Sequence, residues 1–96
     1  MMVSIREATA NAIAFAQDAL GSERTRGVRL EEVESTSVDG LDAWLITLSM
    51  ILPASLDPER HIPSFFKGEK REYKSFTVLK NNGEVKSMKI RELADA

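Results

Sequence analysis

The chain has no cysteine and a single histidine, His61, among its 96 residues. Without cysteine it forms neither a disulfide nor a thiolate nucleophile, and a zinc site of the cysteine type is excluded. A catalytic or metal-binding histidine needs oriented partners, and only Ser64 and scattered carboxylates stand near this one in the sequence. We therefore predict that the protein is not an enzyme and that it holds no metal or cofactor.

Long apolar runs are also absent. The longest candidate, AWLITLSMILPA, is interrupted by threonine and serine and falls short of the roughly 20 residues that a membrane helix needs. Arg6, Glu7 and Asp18 interrupt the N-terminal segment, which is not the pattern of a signal peptide. We expect a cytoplasmic protein that does not associate with membranes.

The composition is that of a soluble globular chain, with 43% hydrophobic and 29% charged residues. A chain of 96 residues is long enough for one core, so we predict a single domain over residues 1–96. A core of this size stabilises the fold only modestly. Burying more surface in a homodimer would add stability, and we expect one.

The first segment reads as an amphipathic helix over residues 4–20. Ser4 and Glu7 form an S-x-x-E capping box at its start, and Gly21 is placed to end it in a left-handed turn. One arc of the helix is apolar and rich in alanine, which would let it lie close against a sheet. The residues of that arc are Ile5, Ala8, Ala12, Ile13, Phe15, Ala16, Ala19 and Leu20.

Four later segments have the alternating pattern of strands. They predict strands at about 28–37, 43–52, 72–80 and 84–91, with a long loop over 53–71. Val33 is out of phase with Val28 and Leu30, and a bulge near Glu31-Glu32 would return it to the core side.

The last two strands form a hairpin whose register follows from its apolar residues. A two-residue turn would split these residues between both faces, whereas a three-residue turn with a left-handed Gly83 keeps them together. The second register sets Phe76 opposite Met88, Lys74 opposite Ile90 and Lys80 opposite Glu84.

One helix followed by four antiparallel strands predicts an α+β fold, with the N-terminal helix packed on a curved four-stranded antiparallel sheet. This order, the WLITL strand and the closing F-T-V-x-x-N-N-G-E-V hairpin resemble the PepSY-like and cystatin-like families of small domains. The resemblance implies an inhibitory or ligand-binding module rather than a catalyst. It assigns a role to no particular residue of this chain.

The net charge of -2 conceals an asymmetry along the chain. Residues 1–54 carry four Lys or Arg against eight Asp or Glu, whereas residues 65–91 carry eight against three. The acidic and basic strands are either neighbours or solvated faces, or else the basic part is a surface that recruits an acidic partner.

The stretch HIPSFFKGEKREYK, residues 61–74, contains Ile62, Phe65 and Phe66, which are too apolar for a freely solvated loop. It either folds back over an open end of the core or forms a partner-binding patch. Its mixture of aromatic and basic residues also suits single-stranded nucleic acid, but the slightly acidic chain makes a nucleic-acid partner the less favoured alternative. The candidate partner-binding residues are Ile62, Phe65, Phe66, Lys67, Lys70, Arg71 and Tyr73.

The sheet face away from the helix is predicted to be rich in hydroxyl groups. Small side chains allow two sheets to pack closely, so this face is a candidate interface, although an ordinary solvated sheet has the same composition. The residues concerned are Thr47, Ser49, Ser75, Thr77 and Ser87. In the run Glu31, Glu32 and Glu34, the last two would point to one side of the strand and could act as paired acids; the alternative is that the three charges protect an edge strand.

Together these patterns favour a small non-enzymatic protein-interaction or regulatory module that acts as a homodimer through the outer sheet face and the 53–71 loop. A nucleic-acid-associated regulator using residues 65–74 is one alternative. A small-molecule-binding domain with a pocket between helix and sheet is another.

Overall fold

A computed structural model of the chain describes residues 2–53 and 70–91. One helix packs on a four-stranded antiparallel sheet, which confirms the predicted α+β class, and the sheet does not close into a barrel. The strands lie in the order β1-β2-β3-β4. The elements are α1 Ile5–Leu20, a short 3-10 helix Ser22–Thr25, β1 Arg29–Val38, β2 Leu41–Ile51, β3 Arg71–Leu79 and β4 Val85–Ile90. Every strand begins and ends within two residues of its predicted position, while most of the predicted 53–71 loop lies outside the described residues.

Helix α1 begins with the predicted capping box. The Ser4 hydroxyl accepts a hydrogen bond from the Glu7 amide at 3.0 Å, and the Glu7 carboxylate accepts one from the Ser4 amide at 3.2 Å. Two amides that the helix cannot satisfy internally are thus paired. Gly21 ends the helix with a φ of +86° as expected, but its ψ of 164° leads the chain into an extended direction rather than a left-handed turn.

The helix meets the sheet along a stripe of three fully buried alanines, Ala8, Ala12 and Ala16. Residues four apart share one helix face, and short side chains let that face approach the sheet closely. Ile5 and Phe15, predicted on the same buried arc, are 44% and 37% exposed, and Ala19 in the last turn is exposed as well. Ile13 and Leu20 are half-buried and pack against the core beside the alanine stripe. The sheet residues in this core are Ile46, Leu48, Met50, Phe76 and Val78.

Successive side chains of β2 point to opposite faces of the sheet. Ile46, Leu48 and Met50 lie under the helix, while Thr47 and Ser49 lie on the other side, called the outer face below. The helix packs on β2, β3 and β4. One edge strand, β1, therefore extends beyond the part of the sheet that the helix covers.

The hairpin of β1 and β2 turns at Asp39 and Gly40, whose φ angles of 51° and 79° are both positive. Such a pair is typical of a two-residue type I′ turn, which matches the twist of the strands. The predicted bulge is confirmed, because the register shifts between Leu30 and Glu32. Val33 consequently pairs with Ile46 on the helix side.

The hairpin of β3 and β4 has the predicted register along its strands, with Phe76 opposite Met88 and Lys74 opposite Ile90. Near the turn the prediction is wrong, because the Leu79 amide donates to the Glu84 carbonyl at 2.8 Å and Lys80 does not face Glu84. The register shifts between Thr77 and Val78 to accommodate this change.

Lys80 leaves the ladder because its backbone is held elsewhere. Its amide donates to the Asp42 carbonyl at 3.0 Å, and its carbonyl accepts from the Val3 amide at 2.7 Å. Its ammonium group lies 4.0 Å from the ring centroid of Trp44 and donates to the Ser35 hydroxyl at 2.8 Å. Trp44 donates in turn to the Val3 carbonyl at 3.3 Å.

Candidate functional site

The five hydroxyl residues predicted on the outer face do lie together there. Thr47 pairs with Ser75 and Thr77 pairs with Ser87 across adjacent strands. Thr47 is 2% exposed and Ser49 is fully buried, whereas the three residues on β3 and β4 are half-buried. The centre of this face is therefore enclosed within the chain itself.

Ser49 connects an acidic residue of β1 to a basic residue of β3. Its hydroxyl donates to the Glu31 carboxylate at 2.6 Å and accepts from Arg71 Nε at 2.8 Å. The Arg71 Nη2 group also donates to the carbonyls of Ser49 and Gly27. The Ser49 hydrogen bond, together with Arg29 and Arg71, lowers the pKa of Glu31 below its ordinary value of 4.5, against the opposing effect of desolvation.

Thr47 is also linked to a charged pair, but here the arginine forms the bridge. Arg91, which follows β4, donates to the Thr47 hydroxyl at 2.8 Å and to the Glu32 carboxylate. The hydrogen bond to Glu32 raises the pKa of Arg91 above its ordinary value. The acidic strand β1 and the basic strand β4 are thus opposite edges of the sheet, and long side chains link them across the outer face.

The predicted partner-binding stretch is only partly described. Ile62, Phe65, Phe66 and Lys67, like His61, lie outside the described residues. Of the remaining candidates, Lys70, Arg71 and Tyr73 are half-buried. Arg71 uses its guanidinium group on Ser49 and Gly27, as described above.

A cleft of about 510 Å³ lies where β3 extends past the end of β4. Its described wall holds the cations Arg24, Arg71, Lys74 and Arg91 and one carboxylate, that of Glu72. Tyr73 and Ile90 also line it.

Three of these side chains form a partly buried charged group on the helix side of the sheet. Glu72 Oε1 lies 2.7 Å from Arg24 Nη2 and 3.4 Å from Lys74 Nζ. The side chain of Lys74 is 8% exposed and that of Glu72 is 15% exposed. The alternation of β3 could have identified two members of this group, because Glu72 and Lys74 lie on the same strand face as the core residues Phe76 and Val78. The polar segment at residues 21–27, GSERTRG, has no pattern that distinguishes Arg24 from its neighbours.

Strand β1 is the most exposed element of the sheet. Eight of its ten residues are exposed, and only Val33 and Val38 are half-buried. Leu30, on the helix side, is 47% exposed. Within residues 2–53 and 70–91, no strand pairs with the outer edge of β1.

In the described part of the chain, no three Asp, Glu or His side chains come together as a metal site would require. No helix among the same residues has the length and apolarity needed to cross a bilayer. The fold class is thus an open α+β sheet domain. Searches against protein-family models, curated protein sequences and solved structures found no match to this chain. The resemblance to PepSY-like and cystatin-like domains stays a prediction.

Proposed function

We propose that the protein is a non-enzymatic protein-interaction module that forms a homodimer by antiparallel pairing of two β1 strands. The observation that supports this is the exposure of β1, a ten-residue edge strand that the helix leaves uncovered. An edge strand presents unpaired backbone donors and acceptors, which a second strand satisfies by extending the sheet. Pairing of two copies would give one continuous eight-stranded sheet.

The two halves of β1 differ in how well they resist such pairing. The first half carries Glu31, Glu32, Glu34 and the bulge, which are the usual devices against association of sheet edges. The second half, Ser35-Thr36-Ser37-Val38, contains no charge, proline or bulge. The other edge strand, β4, has only six residues and carries Lys86 and Lys89. Of the sheet edges in the described part of the chain, the second half of β1 is therefore the one without such devices.

We place the twofold axis at Ser35, a register that keeps the glutamates of the two strands apart. It sets Val33 opposite Ser37 and Glu34 opposite Thr36, so no glutamate faces another glutamate. Since β1 turns into β2 through a two-residue hairpin closed by Val38, alternation places the backbone groups of Ser35 and Ser37 on the outward edge. These groups would form the new ladder.

The roles of the acidic residues support a binding module rather than a catalyst. Glu31 accepts a hydrogen bond from Ser49, and Glu32 accepts one from Arg91. Paired acids in hydrolases need one carboxyl group that holds a proton near neutral pH. The lowered pKa of Glu31 does not suit this proton-holding role.

The test is the solution mass of the protein across a concentration series, for the wild type and for Thr36→Lys and Thr36→Glu. We expect the wild type to approach twice the 10.7 kDa mass of the chain. In the proposed register, position 36 of each copy faces Glu34 of the other copy, which gives two such pairs per dimer. A lysine at position 36 attracts Glu34 in both pairs, and a glutamate repels it in both. Cross-strand charge pairs contribute roughly 0.2–1 kcal/mol each, so the dissociation constant should fall about 2- to 30-fold with lysine and rise by a similar factor with glutamate.

Matched controls come from the opposite edge of the sheet, where Ser87 is a hydroxyl residue on the same outer face. Ser87→Lys and Ser87→Glu should leave the dissociation constant at its wild-type value. A wild type that stays monomeric up to high concentration contradicts the proposal. So does a dimer whose stability is the same with lysine and with glutamate at position 36.

A further inference from the structure

The cleft beside the end of β4 holds more positive than negative charge. Four cations and one carboxylate line its described wall. Arg71 and Arg91 also interact with the outer-face network, through Ser49 and Glu32 respectively. Among the described residues Arg24 and Lys74 pair with one carboxylate, and both converge on Glu72 Oε1. Two cations around one carboxylate leave a net positive charge in a partly buried position.

Polar atoms of the same group remain unpaired. Arg24 Nε and Glu72 Oε2 are buried and have no hydrogen-bond partner among the described residues. A buried donor or acceptor without a partner is unfavourable, and more so when the group is charged. Arg24 Nε lacks a hydrogen-bond acceptor and Glu72 Oε2 lacks a donor.

We propose that this cleft binds a small phosphate ester that also carries a hydroxyl group. The phosphate oxygens would accept hydrogen bonds from Arg24 and Lys74, because guanidinium and ammonium groups bind phosphate through charge-assisted hydrogen bonds. The hydroxyl group would donate to the Glu72 carboxylate, whose buried Oε2 becomes accessible when the side chain turns toward the cleft. A volume of about 510 Å³ lies within the usual range of small-molecule sites, roughly 300–1,000 Å³, and is large enough for a phosphorylated polyol.

The cleft does not depend on the proposed dimer. In the strand order β1-β2-β3-β4, the strand β2 separates β3 and β4 from β1, which is the strand that would pair with the second copy. A monomeric protein could therefore still bind the ester, and a dimeric protein could fail to do so. The failure of one proposal therefore does not contradict the other.

The experiment is a titration of the full chain with glycerol phosphate, followed by backbone amide chemical shifts at constant ionic strength. Inorganic phosphate and glycerol serve as the parallel probes for the anion alone and the hydroxyl groups alone. We expect saturable shifts confined to the cleft residues around Arg24, Glu72 and Lys74. Glycerol phosphate should bind more tightly than phosphate, and glycerol should cause no saturable shift.

Lys74→Met should weaken binding of glycerol phosphate roughly tenfold or more, as expected for the loss of a charge-assisted hydrogen bond. Lys86→Met is the matched control, since Lys86 is an exposed β4 lysine that also pairs with a glutamate. It removes the same charge and should leave the affinity unchanged. If Lys74→Met does not fold, Arg24→Gln should give the same loss at a more exposed position.

The proposal is overturned if Lys74→Met binds glycerol phosphate as tightly as the wild type does. If Lys74→Met does not fold, the same result for Arg24→Gln overturns it. Shifts that do not saturate, or an equal loss in Lys86→Met, overturn it as well, because they indicate general attraction to a basic surface. Equal affinity for inorganic phosphate and glycerol phosphate overturns the assignment of Glu72 to a ligand hydroxyl group.

Discussion

The two faces of strand β2 are both buried, but by different means. Under the helix, Ile46, Leu48 and Met50 are removed from water by apolar contacts. On the outer face, Thr47 and Ser49 are buried and hydrogen-bonded to charged side chains from β1, β3 and the residue after β4. Apolar burial has no preferred direction and responds little to pH, whereas the outer network depends on hydrogen-bond geometry and on the charge of its members. One strand thus combines two kinds of stability that experiments can separate.

The largest effect is expected on the helix side, where Phe76 is fully buried. Phe76→Ala removes the ring and leaves a cavity, which typically lowers the free energy of unfolding by about 3–5 kcal/mol. Urea denaturation measures this loss. Phe15→Ala is the matched control, because Phe15 meets the same ring edge-on, at 6.4 Å between centroids, yet is 37% exposed. A loss at Phe15 as large as that at Phe76 would contradict the placement of the core.

A smaller effect is expected on the outer face from Ser49→Ala. This change removes a fully buried hydroxyl group that donates to Glu31 and accepts from Arg71, and a hydrogen bond typically contributes about 0.5–1.5 kcal/mol to stability. The same denaturation assay applies. Ser75→Ala is the control, since Ser75 is half-buried and its one hydroxyl contact, with Thr47, is long at 3.4 Å. If both variants unfold like the wild type, the outer network does not stabilise the fold.

The smallest effect is a dependence on pH that is specific to the outer face. Because the folded pKa of Glu31 lies below 4.5, its ionised form stabilises the fold above that pH, and the contribution is lost as the pH falls through the folded pKa. We expect the urea midpoint of the wild type to fall in acid more than that of Glu31→Gln. Midpoints measured from about pH 7 down to about pH 3 test this. Parallel curves for the two proteins would show that Glu31 is not linked to folding.

Features set by a few neighbouring residues could be predicted from the sequence. The capping box at Ser4 and the bulge before Val33 each depend on local spacing or on strand phase. The register that pairs Phe76 with Met88 follows from keeping apolar side chains on one face. Local rules therefore account for the fold class and most of the strand pairing.

Features set by contacts between distant residues could not be predicted in this way. Lys80 departs from its predicted pairing because Asp42 and Val3 hold its backbone. Arg71 reaches Ser49 from the neighbouring strand β3 and Arg91 reaches Thr47 from the end of β4, and no spacing in the sequence specifies where a long, flexible side chain will end. The outer face was for this reason predicted as a set of hydroxyl groups, without the charged side chains that bind them.

Trp44 gives the chain an intrinsic fluorescence probe. It is the only tryptophan in the sequence, and it lies beneath the Lys80 ammonium group while donating a hydrogen bond to Val3. Its emission should therefore respond when the segment before the helix docks against the last hairpin, a contact between residues almost 80 positions apart. Such a closure between distant residues is entropically costly and is expected late in folding. Stopped-flow fluorescence would time that step without any added label.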